Sequence, residues 1–442
     1  MNDASAAQQR IPARHIAAVV VGNALEFYDF LTFSFFAVYI GRAFFPSTDP
    51  TVSLLATLAT FGAGFLTRPI GAFVIGRMGD RVGRKPAMLL SFWLMGIAIV
   101  GLALTPPQSR IGIAAPLLVV FFRLVQGFAL GGEVGPTSAF LLELAPIERR
   151  GFYTAFQGWS QDVSTLAAGL VGFALANLLS ANQLQDFGWR IALLAGAAVV
   201  PAGLAIRRSL PETFHASSPA TPRSASDNMH RPAPLRPYLA IAVLGLMMIL
   251  GGTIGIYTRS YATTYAISTL HLKANIAFAA TIVVGLSGVL VDLFSGALSD
   301  RVGRKPVLLM SGFLLLVSIL PAFYAILHYR SAAVFLGANA LLAVIASFFS
   351  PVIIVWLTES LPAHIRSSGL ALVYASSVTV FGGSTQFLIA WLIRKTGNPM
   401  APAWYWTAAM AVGVAAVCLA RESAPRIIGR SNDEPVEELA IR

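Results

Sequence analysis

Apolar runs of about twenty residues, separated by short polar gaps, recur along the whole chain. A helix needs about 20 apolar residues to cross a bilayer. On that scale the pattern predicts helices over 16–40, 54–76, 87–106, 113–144, 152–179 and 188–206, and again over 237–264, 274–297, 306–326, 332–358, 367–392 and 402–420. These are spans 1 to 12 in chain order. Some carry an internal charge, and two are long enough to tilt or to emerge from the bilayer.

One stretch breaks the rhythm. Residues 207–236 begin Arg207, Arg208, Ser209, Leu210, Pro211, Glu212, Thr213 and continue Ser-, Pro- and Ala-rich. This composition predicts a polar linker between two six-helix bundles. The expected organisation is a tail over 1–15, a bundle over 16–206, the linker over 207–236, a second bundle over 237–420 and a tail over 421–442. The first fifteen residues lack a leader with a small-residue cleavage site, so the first run is expected to be retained as a span.

Composition agrees with a bilayer as solvent. Hydrophobic residues make up 56% of the 442, and charged residues only 12%, against roughly a quarter in soluble proteins. The net charge of +11 does not form a nucleic-acid face, because the Lys and Arg residues sit in the gaps between apolar runs. With both termini and the linker placed on one side, that side holds 21 of the 31 basic residues. The positive-inside rule then puts both termini in the cytoplasm, and the expected home is a bacterial inner membrane. Cys418 is the only cysteine, which excludes an intrachain disulfide; it reads as a small buried hydrophobe near a helix end.

The chain repeats itself. Residues 80–86 and 300–306 both read Asp-Arg-Val-Gly-Arg-Lys-Pro, each preceded by a glycine at the same offset, Gly76 and Gly296. Both copies fall between the second and third span of a half. A weaker echo follows each fourth span, where Glu143, Pro146 and Arg150 recur as Glu359, Pro362 and Arg366. Parallel halves with a site near the midplane between them are a transporter plan.

Gly76, Asp80, Arg81, Gly83, Arg84 and Lys85, with the second copy Gly296, Asp300, Arg301, Gly303, Arg304 and Lys305, resemble the signature loop of the major facilitator superfamily. Narrower features resemble its metabolite–proton symporter branch. They are Asn23 to Phe30 with Glu26 and Asp29, then Phe44-Phe45-Pro46, Arg68 to Gly71, Arg123 to Gly127, and Gly132-Glu133. Gly151-Phe-Tyr-Thr with Gln157 and Gln161, and Phe381-Gly382-Gly383, are similar to bacterial citrate–proton symporters. Three residues depart from that pattern: Arg259 stands where a small polar residue is expected, and Asp162 and Asp292 where apolar or amide residues are.

The resemblance implies an all-α membrane protein, twelve helices in two six-helix bundles around a central cavity, working by alternating access. It also implies that an aspartate at Asp29 pairs with an arginine at Arg123, its protonation being part of coupling. The residues themselves allow two readings of Asp29, Glu26 and Arg123. A pair that forms and breaks would move a proton, since a carboxylate's proton affinity rises when it is buried alone and falls beside Arg. A permanent ion pair would only lock span 1 to span 4. Glu133 is a second proton site, a gate contact, or a buried acid bonded to a neighbouring helix.

Substrate contacts are expected from Asn23, Gln126, Gln157, Gln161, Arg259, Tyr257 and Tyr374, the amides being alternatively glue between helices. Arg259 presents a fork that matches a carboxylate, or snorkels to the outer interface. Tyr257 and Tyr261 lie on a face roughly opposite Arg259, so all three cannot point inward from a straight helix. The repeated loop residues, with Glu143–Arg150 and Glu359–Arg366, are expected to form a conformational clamp.

No Gly-Lys-Ser/Thr loop suggests nucleotide, and no Cys/His cluster suggests metal. The expected function is uptake of citrate or a related tricarboxylate with protons, by a non-enzymatic monomer that needs no cofactor. A dicarboxylate, a shikimate-type acid or a zwitterionic osmolyte is the alternative. The tail after 421 shows no heptads of the kind that osmosensing relatives carry. A receptor or membrane enzyme fits less well, because both clamp loops are intact and no nucleophile–base set appears.

Overall fold

The structure is a computed structural model that describes residues 13–82, 84–131, 141–142, 145–209, 236–361 and 366–429, with backbone alone at 13–19, 25–26, 76, 79–81, 84–85, 87–88, 199–200, 202–209, 236–237 and 366–368. Among these residues every regular element is helical. In hydrocarbon each backbone N–H and C=O must be satisfied within its own segment, which helices achieve.

A helical segment stands at each of the twelve predicted places. Span 1 is Ala13–Phe35 followed by Ala37–Phe44, bent by 66°. Span 2 is Pro50–Leu66 and Arg68–Arg81, span 3 Arg84–Leu104, and span 4 begins as Ala114–Leu130. Span 5 is Arg150–Thr154 and Phe156–Leu178, and span 6 is Trp189–Ser209. Span 7 is Arg236–Ser260 and Ala262–Ser268, span 8 Ala274–Val302, span 9 Arg304–Tyr329 and span 10 Ala332–Ser360. Span 11 is Arg366–Ser377, a π-helical turn Val378–Gly382 and Gly383–Thr396; span 12 is Ala401–Leu419. Residues 210–235, which hold most of the expected linker, lie outside the described residues.

Two apolar cores form, one centred in each half. Large side chains such as Leu66, Phe73, Leu117, Leu290, Phe313 and Leu372 stay exposed. They face the surroundings because lipid, not water, covers this protein. Cys418 is exposed on the last turn of span 12 and is not the buried residue expected. Leu419 beside it is exposed as well.

The halves meet along span 5 against span 8, and along span 2 against span 11. Small residues allow both approaches: a Cβ on Gly62 would lie 2.5 Å from the Gly383 carbonyl, and one on Gly285 would lie 2.4 Å from the Leu166 nitrogen. Bilayer helices associate through such close backbone packing.

Candidate functional site between the two halves

A cavity opens between spans 1 and 5 on one side and spans 7, 8, 10 and 11 on the other, with about 1110 Å³ of empty space including its open mouth. Span 5 lines it with Thr154, Gln157, Gly158, Gln161, Asp162 and Thr165. Their spacing of three and four residues puts them on one helical face. Opposite them stand Tyr257 and Arg259 of span 7, Asp292 of span 8 and Tyr374 of span 11. Four of the expected substrate residues, Gln157, Gln161, Tyr257 and Tyr374, therefore share the cavity with Arg259. Tyr374 and Gln161 line the cavity from opposite halves.

Arg259 is the lining group whose polar atoms are least satisfied. It is 8% exposed, and its Nε and Nη1 have no hydrogen-bond partner. It does not snorkel to an outer interface. Tyr261 turns instead into a smaller side pocket, which Arg259 also borders. The helix through Ser260 gives way to a second helix at Ala262, so Tyr261 sits at the joint.

Other expected site residues are committed elsewhere. Asn23 donates to Ser160 Oγ at 2.5 Å and accepts from Gln157 Nε2 at 3.2 Å, tying span 1 to span 5 off the cavity wall. Gln126 accepts from Arg123 Nη1 at 2.8 Å. Arg123 is fully buried, its guanidinium 4.5–5.0 Å from the ring centres of Phe30, Phe33 and Phe61. Arg68 lies 4.6 Å from Phe30 and 4.1 Å from Phe65. Cation–π contacts of this kind are strengthened by desolvation.

Asp29 does not meet Arg123 in this conformation. Its carboxyl is 2% exposed and rests on span 6, where a Cβ on Gly196 would collide with Oδ1. Oδ1 has no hydrogen-bond partner. The Arg123 guanidinium is taken up instead by the aromatic rings around it.

At the end of the molecule bearing the second repeated loop, Asp300 accepts the Gly151 N–H at 2.8 Å and the Phe152 N–H at 2.9 Å. Those are free N–H groups of the first turn of span 5, which favour an anion. Asp300 also pairs with Arg304 at 2.8 Å, and Arg304 binds Glu359 through Nη2 at 2.9 Å and Nε at 3.1 Å. Gly296 permits the junction, since a Cβ there would lie 2.4 Å from the Gly151 carbonyl. Gly303 takes φ +110°, a conformation that side-chain-bearing residues rarely adopt. Arg150 opens the helix that Asp300 caps, whereas Arg301 is exposed.

At the opposite end Asp49 caps span 2 and meets Arg394 of span 11 at 2.9 Å. The Thr51 backbone N–H, with Arg394 adding to it, holds the Asp49 carboxyl below the usual carboxylate range. Ser34 donates to Gln386 Oε1 at 2.8 Å, again joining the halves.

The sequence profile of the Major Facilitator Superfamily matches residues 19–293, and that of "Sugar (and other) transporter" matches residues 223–431. The chain belongs to the major facilitator superfamily. It is 37% identical over 424 residues to a citrate-proton symporter of Klebsiella pneumoniae, covering 95% of this chain and 94% of that one. It is 33% identical to an alpha-ketoglutarate permease of Escherichia coli (strain K12), over 89% of this chain and 91% of that one. A crystal structure of a D-xylose-proton symporter superposes with a TM-score of 0.77 at 19% identity, covering 95% of this chain and 99% of that one, and shares the fold.

As a major facilitator protein the chain is a multi-pass membrane transporter. Glu26, Gly76, Asp80, Arg81, Gly83, Arg84, Glu133, Glu143 and Arg366 lie outside the described residues or side chains. Two groups were not assigned to a site from sequence. Asp162 and Asp292 read only as departures, yet both line the cavity; their polarity inside apolar runs was the available signal. Glu422 and Ser423 belong to the clamp. Glu422 accepts the Arg304 N–H at 2.8 Å and the Lys305 N–H at 3.0 Å, and Ser423 donates to Glu359 at 2.9 Å. Nothing in a short tail marks such a return.

Proposed function

We propose that the protein takes up citrate or a close tricarboxylate together with protons, by alternating access across a bacterial inner membrane. The observation that carries this reading is Arg259, which lines the cavity between the halves and whose buried guanidinium keeps two nitrogens without a hydrogen-bond partner. Its likeness over nearly the whole chain to a citrate-proton symporter gives the anion a candidate identity. Arginine can bind a carboxylate through two parallel hydrogen bonds. The amide of Gln161, which also lines the cavity, supplies a neutral donor to the remaining oxygens.

In this reading the proton is the coupling ion and no cofactor takes part. Asp29 is the first proton carrier, and the conformation described is one in which it stands apart from Arg123. The end bearing the Asp300 clamp is cytoplasmic, following the basic residues. The clamp then closes the inside while the cavity faces out, and its release opens the inside.

A second reading has an observation of its own. Asp162 and Asp292 give the cavity an anionic pole beside Arg259, an arrangement that would also hold a zwitterion. Uptake of labelled citrate into proteoliposomes, with and without an imposed inward proton gradient, decides between them. Gradient-driven accumulation is expected. Absence of uptake, with no competition by citrate against a zwitterion that is transported, overturns the tricarboxylate reading.

A further inference from the structure

Span 5 reads Gly158-x3-Asp162 and span 8 reads Gly288-x3-Asp292, and the two segments interlock. Asp162 lies in the gap at Gly288, where a Cβ would come 1.8 Å from Oδ2. Asp292 lies against Gly158, where a Cβ would come 3.0 Å from Oδ2. Each carboxyl thus fills the space left by the glycine one turn before the other. The two carboxyls lie within hydrogen-bonding reach of each other, and Asp292 is 2% exposed.

The surroundings set one positive charge, which acts on both aspartates, against two negative ones. The only cation lining the cavity, among the described residues, is Arg259 of span 7, and it forms no ion pair with either aspartate. The titratable neighbours are Tyr257 of span 7 and Tyr374 of span 11. Span 10 presents Ser347 and Pro351, and span 1 presents Phe27 and Leu31. Two carboxylates in contact inside an apolar protein cannot both remain ionised cheaply, and a proton shared between them turns repulsion into a hydrogen bond.

We propose that Asp162 and Asp292 form a proton-binding site across the seam between the halves, and that its protonation is linked to binding of the substrate anion at Arg259. The inference rests on the carboxylate reading above only for the linkage. The sign follows from charge. With both aspartates ionised the cavity's net charge is negative and repels an anion; each proton bound removes one unit of repulsion. Anion binding must therefore raise proton occupancy, and protonation must raise anion affinity by the same factor. The pair sits on spans 5 and 8, where the two halves pack against each other.

Infrared titration of the purified, substrate-free transporter tests the site directly. Wild type should show a protonated-carboxyl C=O band that Asp162→Asn and Asp292→Asn each remove or shift, whereas Asp29→Asn leaves it. An unchanged band in both seam variants overturns the proposal. Should an Asn variant fail to fold, Asp162→Glu keeps an acid in the seam and must shift the band; an unshifted band again overturns it. Citrate calorimetry in two buffers of different ionisation heat tests the linkage. Proton uptake per citrate should fall by about one in the Asn variants, and wild-type uptake in both overturns the linkage. If citrate does not bind wild type at all, the carboxylate reading fails while the infrared result still judges the site.

Discussion

Asp300 of span 8 accepts the backbone N–H of Gly151 at 2.8 Å, so a residue of the repeated loop caps the start of span 5 in the other half. The same carboxylate holds Arg304, whose other partner is Glu359. One side chain thereby joins helix capping, ion pairing and a contact between the two halves.

Asp300→Ala should open the end that bears this contact. It leaves Arg304 with half its pairing and two helix-start N–H groups bare, a loss of about 1–3 kcal/mol in the closed state. Thiol labelling of Thr154→Cys on a Cys418→Ser background should accelerate on the clamp side by about 10- to 100-fold. Equal labelling rates would show that Asp300 does not hold the gate.

Arg259→Ala should raise the citrate KM by about 10- to 100-fold, as expected for losing a charged hydrogen bond of about 1.5–3 kcal/mol. Arg259→Lys should recover part of it, because charge remains and the fork is lost. An unchanged KM in initial-rate uptake would remove Arg259 from the site.

Asp29→Asn should abolish accumulation against a gradient while sparing exchange of internal for external substrate. Gly196→Ala should resemble it, since the added methyl occupies the space of Asp29 Oδ1; overpacking of this kind costs about 1–3 kcal/mol. Counterflow and gradient-driven uptake, measured side by side, separate coupling from general damage.

Glu422→Ala should lower the thermal midpoint in detergent. It removes acceptors for the Arg304 and Lys305 N–H groups at the start of span 9, a capping loss of about 0.5–2 kcal/mol. A midpoint equal to wild type would mean that the tail contact contributes nothing.

The Asp49–Arg394 contact should respond to acid. Asp49 has its proton affinity lowered in the folded protein, so its contribution is present above the ordinary carboxylate range and lost as pH falls below it. Both side chains are exposed, so the effect should be small and screened by salt. Spin-label distances across this end should lengthen at low pH in wild type and be pH-independent in Asp49→Asn.

Residue patterns alone carried the twelve helices and their places, and marked Asp300, Arg304 and Glu359 as members of one group. The bilayer makes the first two legible: a spanning segment must be a continuous apolar helix whatever its neighbours are. That group was legible because its parts repeat, and the linked Asp300, Arg304 and Glu359 fall on repeated positions. Partners across the bundles were not legible. Arg123 was expected beside Asp29, but rings from spans 1 and 2 enclose it and span 6 takes Asp29. Asn23 was expected to line the cavity, and it instead bonds Ser160 and Gln157 off the cavity wall. Asp162 and Asp292 stood out only as misplaced charges until the docking of span 5 on span 8 interlocked them. Periodicity fixes which residues share a helical face, whereas the rotation and partner of each face are set by packing between segments far apart in the chain. The sequence thus determined a two-fold repeated bundle of membrane helices, and only the tertiary structure decided which buried charges meet.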